Sequence, residues 1–165
     1  MLPLLTRIDH VGIACRDLSH TIEVYRKTFG LEVVTVESNQ EQGVREAMLR
    51  VGTGAAALGG GGAAALDSGG AAALGGGGAG GGYVQLLEPL GPDTPVGKFL
   101  ARRGEGIHHI GYGVADVSEA LAAIGGTGIR LIDERPRHGS MGASIAFLHP
   151  ADLSGVLTEL VQFVT

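Results

Sequence analysis

The chain writes one motif twice, and that repeat constrains its fold more than any other feature. Ile8–Asp17 reads IDHVGIACRD, and Ile107–Asp116 reads IHHIGYGVAD. Ile, His, Gly and Asp fall in the same slots, with Val11 answered by Ile110. Each copy has the composition of a strand and closes on an Asp able to cap a following helix. Strand alternation sets His10, Gly12 and Ala14 on one face, and His109, Gly111 and Gly113 on one face of the second copy. In both, a histidine stands beside residues with almost no side chain, which leaves space above the sheet. A repeat that keeps a metal-capable imidazole in an otherwise apolar strand suggests two halves facing one shared site.

Around these strands the rest of the chain reads as two similar runs. After Asp17, the stripe Leu18, Ile22, Tyr25 and Phe29 predicts a helix that stops at Gly30. Strands are expected over Leu31–Glu37, Val44–Val51 and Tyr83–Glu88. The second run begins after a linker, Pro89–Pro95, and a short helix, Val96–Arg103. It continues with the strand Ile107–Ala115 and the helix Val117–Ile124, where Asp116 and Glu119 resemble a capping box. Strands at Ile129–Asp133, Ser144–Leu148 and Val156–Phe163 complete it, with Arg135–Gly142 as a polar loop. The fold class is therefore α+β: two copies of strand–helix–strands, residues 7–88 and 107–163, in one domain. Within the first of them, residues 53–82 are nearly all Ala and Gly, in the period AAALGGGG, AAALDSGG, AAALGGGG. Glycine entropy outweighs what a few leucines can bury, so we expect a disordered insertion in a hairpin loop. It lacks the strand and helix context of a phosphate loop.

Composition excludes several functions. The net charge of −5 argues against a nucleic-acid partner. No Leu/Ile/Val/Phe run is long enough to span a bilayer, and the start is too soon interrupted by Asp9 and His10 for a signal peptide. A single cysteine, Cys15, forms no internal disulfide and fits a reducing compartment. We expect a cytoplasmic protein.

Four polar residues fall on one set of strand faces: His10, Gln85, His109 and Glu159. Gln85 shares its face with Tyr83 and Leu87, and Glu159 shares its face with Leu157 and Val161. Each alone reads as hydrogen-bonded structure, as do His20, His108, His138 and His149; His108 alternates away from His109. Pairing changes the weight: one histidine from each repeat, plus an oxygen donor late in each half. Two imidazoles and two oxygens suit Co²⁺, Zn²⁺, Ni²⁺ or Mn²⁺, and are too nitrogen-rich for Ca²⁺ or Mg²⁺. Glu46, on a face with Val44 and Met48, reads equally as a solvated carboxylate or a functional one.

The segments IDHVGIACRD, EQGVREAML, YVQLLEPL, GEGIHHIGYGVAD, ERPRHGSMGASIAFLHP and GVLTELVQ together resemble the vicinal oxygen chelate superfamily, and within it the methylmalonyl-CoA epimerases. The resemblance covers nearly all of the chain outside the Ala/Gly tract. It implies paired βαβββ modules forming a curved mixed sheet with a metal-containing cleft, metal ligation by His10, Gln85, His109 and Glu159, with cobalt the foremost ion, and places the catalytic glutamate on Glu46. It further implies an acyl-CoA substrate, a homodimer and a step of propionate metabolism. In that chemistry a base removes the proton between a thioester and a carboxylate, and an acid returns one on the other face. The second partner is either Glu159, doubling as ligand, or a water. Relatives often carry a basic residue after the His-Pro, where this chain has Ala151-Asp152. Arg137, Lys98, Arg102 and Arg103 are the candidates for holding CoA phosphates. The rivals are a glyoxalase I-like lyase, an extradiol dioxygenase and a ligand-sequestering protein of the same fold. Gln85 as a fourth ligand counts against the dioxygenase, and Glu46 against the other two.

Overall fold

A computed structural model describes residues 4–52 and 81–163. The expected disordered insertion at residues 53–82 lies outside the described residues except for Gly81 and Gly82, and Gly82 already opens a strand.

Among the described residues, eight strands form one mixed sheet. In chain order they are β1 (Arg7–Ala14), β2 (Glu32–Asn39), β3 (Val44–Val51), β4 (Gly82–Pro89), β5 (Gly106–Gly113), β6 (Arg137–His138), β7 (Ser144–Leu148) and β8 (Thr158–Gln162). Their spatial order is β2-β3-β4-β1-β5-β8-β7-β6. The two repeat strands, β1 and β5, pair antiparallel at the centre, and each has a parallel neighbour, β4 and β8 respectively. Three helices, α1 (Leu18–Phe29), α2 (Pro95–Arg103) and α3 (Val117–Gly125), complete the fold.

The helices start where the sequence signals them. The Asp17 carboxylate accepts from His20 N at 2.9 Å, and Asp116 accepts from Glu119 N at 2.8 Å. α1 ends on Gly30 in the left-handed region at φ 68°, where its N–H reaches Arg26 O. Leu18 is fully buried with Leu49 and Leu86 in the cluster beneath α1. α3 covers the second half through Val117, Ala120 and Leu121, against Ala146, Leu148 and Leu160. Burying each such leucine contributes about 1.5–3 kcal/mol. Phe29, the last residue of the expected apolar stripe, is 65 % exposed and lies outside this core.

The expected strand Ile129–Asp133 is corrected to an isolated bridge, Leu131↔Leu148. The short edge strand forms instead within the expected polar loop, where Arg137 and His138 pair with Ile145 and Ser144. Isoleucines at 129 and 132 give strand composition, but the hydrogen bonds of this stretch do not settle into a ladder. Ile132 N and Asp133 N both donate to Phe147 O.

The central pairing positions the site. His10 lies opposite Gly111 and His109 opposite Gly12, so each ring rests on the glycine of the other strand. A Cβ added to either glycine would fall inside the facing ring. The space that small residues leave above the sheet is thus filled by the partner repeat's imidazole. β-Bulges precede both histidines: Asp9 is the extra residue between the pairs Ile8↔Tyr112 and His10↔Gly111. His108 is its counterpart between Gly12↔His109 and Ile13↔Ile107.

Gly111→Ala should therefore destabilise the protein by about 1–3 kcal/mol, as overpacking does. Gly126→Ala, where no atom lies within 4 Å of the added carbon, serves as the comparison. Urea denaturation checks this; equal effects at the two positions would contradict the stacking of His10 on Gly111.

Candidate metal centre and base

Five adjacent strands deliver the site: Glu46 from β3, Gln85 from β4, His10 from β1, His109 from β5 and Glu159 from β8. All five residues are buried, with none above 4 % exposure. Three of the four expected ligands converge directly. His10 Nε2 and His109 Nε2 are 3.0 Å apart, and Glu159 Oε2 stands 2.8 Å from the first and 3.1 Å from the second. The ring N–H directions do not turn these approaches into hydrogen bonds to Glu159, whose Oε2 is left buried and unpartnered. Donors at about 2.1 Å from one cation in a square-cornered arrangement stand about 3.0 Å from each other, so the three spacings fit a single ion.

Gln85 completes the set differently. Its amide nitrogen donates to Glu46 Oε2 at 2.7 Å and to Ser140 Oγ at 2.8 Å. Its Oε1 has no partner although it is buried. Both N–H bonds are therefore occupied, leaving the oxygen as the fourth donor. A buried orphan acceptor costs about 1–3 kcal/mol, which a cation would recover.

Charge in the cage follows from burial and neighbours. Burial opposes a charge on His10, but the carboxylates of Glu159 and Asp9 overcome it and raise the pKa to about 9. For His109 burial prevails and the pKa is lowered, with His10 adding repulsion. Burial alone would raise Glu159, yet the two imidazoles hold it well below the usual carboxylate range. Without a cation, a proton on His10 offsets the Glu159 charge; metal binding would displace that proton.

Glu46 is the opposite case. Burial pushes its pKa to about 7, and repulsion from Glu37 and Glu159 adds to this, against hydrogen bonds from Ser140 and Gln85. Of the two readings left open by its sequence context, the solvated carboxylate is excluded, because the residue is only 1 % exposed. The neighbouring half offers no matching group. Met48 opposes Gln85 as Phe147 opposes Glu159, so Ile145, two residues before Phe147, occupies the slot equivalent to Glu46.

Several supporting residues escape sequence reasoning. Asp9 Oδ1 sits 3.1 Å from His10 Nδ1, and Arg7 Nε and Nη2 donate to Asp9 Oδ2 at 3.1 and 2.8 Å. Simple alternation would have turned Asp9 away from His10; the bulge brings it round. Ser140 comes from a single 3-10 turn, Ser140–Gly142, in which Met141 takes the left-handed conformation at φ 53°. Met141 N donates to Glu37 Oε1 at 2.9 Å, so this turn from the second half closes onto β2 at the far edge of the sheet. Only the polar composition of residues 135–142 hinted at it.

Of the cationic candidates, Arg137 is carried toward the cage. Its guanidinium lies 5.5 Å above Phe147, whose ring is 5.4 Å from that of His109. Lys98, Arg102 and Arg103 are exposed on α2. Asp152, standing where a basic residue was looked for, pairs with Arg130 at 2.8 Å. His149 caps the short turn after it by accepting from Ala151 N, and His20 and His138 are exposed.

Residues 7–160 match the family described as Glyoxalase/Bleomycin resistance protein/Dioxygenase superfamily. The chain belongs to that superfamily. It is similar to a methylmalonyl-CoA epimerase solved with methylmalonyl-CoA and NH4+, at 49 % identity and TM-score 0.78, over 95 % of this chain and 94 % of that one. The Streptomyces coelicolor methylmalonyl-CoA epimerase, solved with 2-nitronate-propionyl-CoA, is 47 % identical at TM-score 0.80, over 98 % and 99 % of the chains. Solved forms of that enzyme carry single replacements of a glutamate, a glutamine or a serine. Among curated relatives, the ethylmalonyl-CoA/methylmalonyl-CoA epimerase of Cereibacter sphaeroides is 29 % identical, over 96 % of this chain and 99 % of its own length. No helix among the described residues is long and apolar enough to cross a membrane.

The raised pKa of Glu46 has a consequence for stability. Between about pH 4.5 and 7 the unfolded chain ionises at this position while the folded chain keeps its proton, so stability falls as pH rises. Glu46→Gln removes that loss. The variant should gain on the wild type by up to about 3 kcal/mol between pH 5 and 8 in denaturant titrations, and a pH-independent difference would contradict it.

Proposed function

We propose that the protein is a metal-dependent epimerase that interconverts (2R)- and (2S)-methylmalonyl-CoA. The observation that carries this reading is the connection of an unionised-capable carboxylate to a cation cage through one side chain: Gln85 holds Glu46 with its nitrogen and leaves its oxygen for the metal. The superfamily neighbours solved with methylmalonyl-CoA or an analogue of it support the substrate class.

His10, His109, Glu159 and Gln85 Oε1 would hold the divalent ion. When bound, it supplies a Lewis acid for the thioester and carboxylate oxygens that flank C2 of the substrate, making the C2 proton easier to remove. Glu46 takes that proton. Its pKa near 7 leaves a usable fraction of carboxylate at neutral pH, and the same burial makes the protonated form a competent acid for the reverse reaction. The hydrogen bond from Gln85, itself tied to Ser140, fixes the direction of the carboxylate, and Glu37 raises its proton affinity. Return of a proton to the opposite face inverts the centre. We assign that step to a water beside Glu159, because the slot equivalent to Glu46 in the second half holds Ile145 and the other candidate, Glu159 itself, is held anionic by the two imidazoles. Glutamate, glutamine and serine, the residue types replaced in the solved Streptomyces forms, are also the types joined here in Glu46, Gln85 and Ser140.

A sequestering protein would bury Glu46 without return, and a glyoxalase-like lyase shares the cage, so it is Glu46 that favours the epimerase. The resemblance leads us to propose a homodimer, with Ile8 and Ile107 on the two central strands 62 % and 65 % exposed and open to a partner copy, and the lone cysteine, Cys15, fits a place in the cytoplasm. Sedimentation equilibrium reads the mass.

Deuterium uptake at C2 of methylmalonyl-CoA should fall by about 10²–10⁴-fold in Glu46→Gln, with metal content unchanged. His10→Ala and His109→Ala should each lose bound metal. Full exchange in the Glu46 variant would overturn the base, and retained metal in both histidine variants would overturn the cage.

A further inference from the structure

Both ligand histidines are preceded by a bulged residue whose side chain comes back against the ligand's Nδ1. In the first repeat that residue is Asp9, 3.1 Å from His10 Nδ1; in the second it is His108, whose Nδ1 is 3.0 Å from His109 Nδ1. The sequence assigned His108 to the opposite face. The bulge instead brings the two rings to a centroid distance of 5.3 Å, nearly perpendicular. From the other side the Phe99 ring of α2 packs edge-on against His108 at 5.0 Å.

A carboxylate can only accept, so Asp9 fixes the tautomer of a neutral, ligating His10: the proton sits on Nδ1 and the Nε2 lone pair faces the cage. Two imidazole nitrogens at hydrogen-bond distance admit two solutions. If His109 Nδ1–H donates to His108, the His109 Nε2 lone pair faces His10 and Glu159. If His108 donates, His109 carries its proton on Nε2, aimed into the cage where a metal must bind. Only the first is compatible with ligation.

We propose that His108 is a positioning residue that accepts from His109 Nδ1 and thereby holds His109 in the ligating tautomer. The inference rests on the reading of the cage as a metal site. The neutral acceptor has a physical rationale. Glu159 already places one carboxylate in the cage and Glu46 lies close by, so a second carboxylate behind His109 would add repulsion that an imidazole avoids. The two ligands are consequently unequal, His10 being the stronger donor because an anion stands behind it.

Three proteins test this with cobalt(II) alone, added to metal-free protein and measured by competition with a chromogenic chelator. His108→Phe keeps the ring against Phe99 but removes the acceptor, and should weaken cobalt binding about 10–100-fold. His108→Asp copies the first repeat and should restore most of that affinity, with a cobalt visible band shifted from that of the wild type. Equal affinity in wild type and His108→Phe would overturn the positioning role while leaving the metal site intact. A wild type that binds no cobalt would overturn the cage and this role with it. Should His108→Phe fail to fold, imidazole ¹⁵N shifts of zinc-loaded wild type decide the matter. A proton on His109 Nδ1 and none on His108 Nδ1 is the expected pattern, and a proton on His108 Nδ1 overturns the proposal.

Discussion

Two imidazole rings lying on two glycines of the neighbouring strand are the contact on which the whole site depends. Antiparallel pairing of β1 and β5 sets His10 over Gly111 and His109 over Gly12, and nothing larger than glycine fits beneath either ring. Because both rings are held at the seam between the two repeats, their Nε2 atoms meet 3.0 Å apart without any loop having to move. The parallel neighbours β4 and β8 then bring Gln85 and Glu159 to the same place from either side. Rigid strands therefore supply the donors. Their order in the sheet fixes the geometry of the cage before any ion enters.

The two halves are alike in path and unlike in chemistry. Gln85 and Glu159 occupy equivalent strands, but one is a neutral amide that also steers Glu46, while the other is a carboxylate held anionic by two imidazoles. Glu46 has no counterpart across the seam, where Ile145 stands. Asp9 and His108 share a slot and differ in charge. A doubled fold thus produces a one-sided site: a base on the first half, an anionic ligand on the second, and a cation position between them. Burial raises the proton affinity of Glu46, and two adjacent rings lower that of Glu159. The environment, more than residue type, separates the roles of these two glutamates.

Much of this was legible in the sequence because strand alternation and the repeat both have short-range signatures. The motif around His10 and His109 identified the central pair, and period-2 counting placed Gln85 and Glu159 on the matching faces. The capping aspartates and Gly30 marked helix ends through local chemistry alone. What escaped depends on bulges or on contacts across the chain. His108 was assigned to the wrong face, and the same count misplaces Asp9, because one extra residue on each strand shifts the register and no composition signal marks a bulge. Ser140 and Glu37 meet the site only because the curled sheet brings its two edges together. Ile129–Asp133 looked like a strand by its isoleucines and leucine, yet the ladder formed at Arg137–His138. The small residues beside the histidines were noticed, but their role was inverted. They accommodate the opposing ring and are not open space for a substrate.

Crystals soaked in cobalt(II) and measured at the cobalt absorption edge test the central claim most directly. The account predicts one strong anomalous peak within about 2.1 Å of His10 Nε2, His109 Nε2 and Glu159 Oε2, with Gln85 Oε1 as the fourth protein atom in contact. A peak elsewhere on the molecule, or the three donor atoms left without one at saturating cobalt, would contradict it.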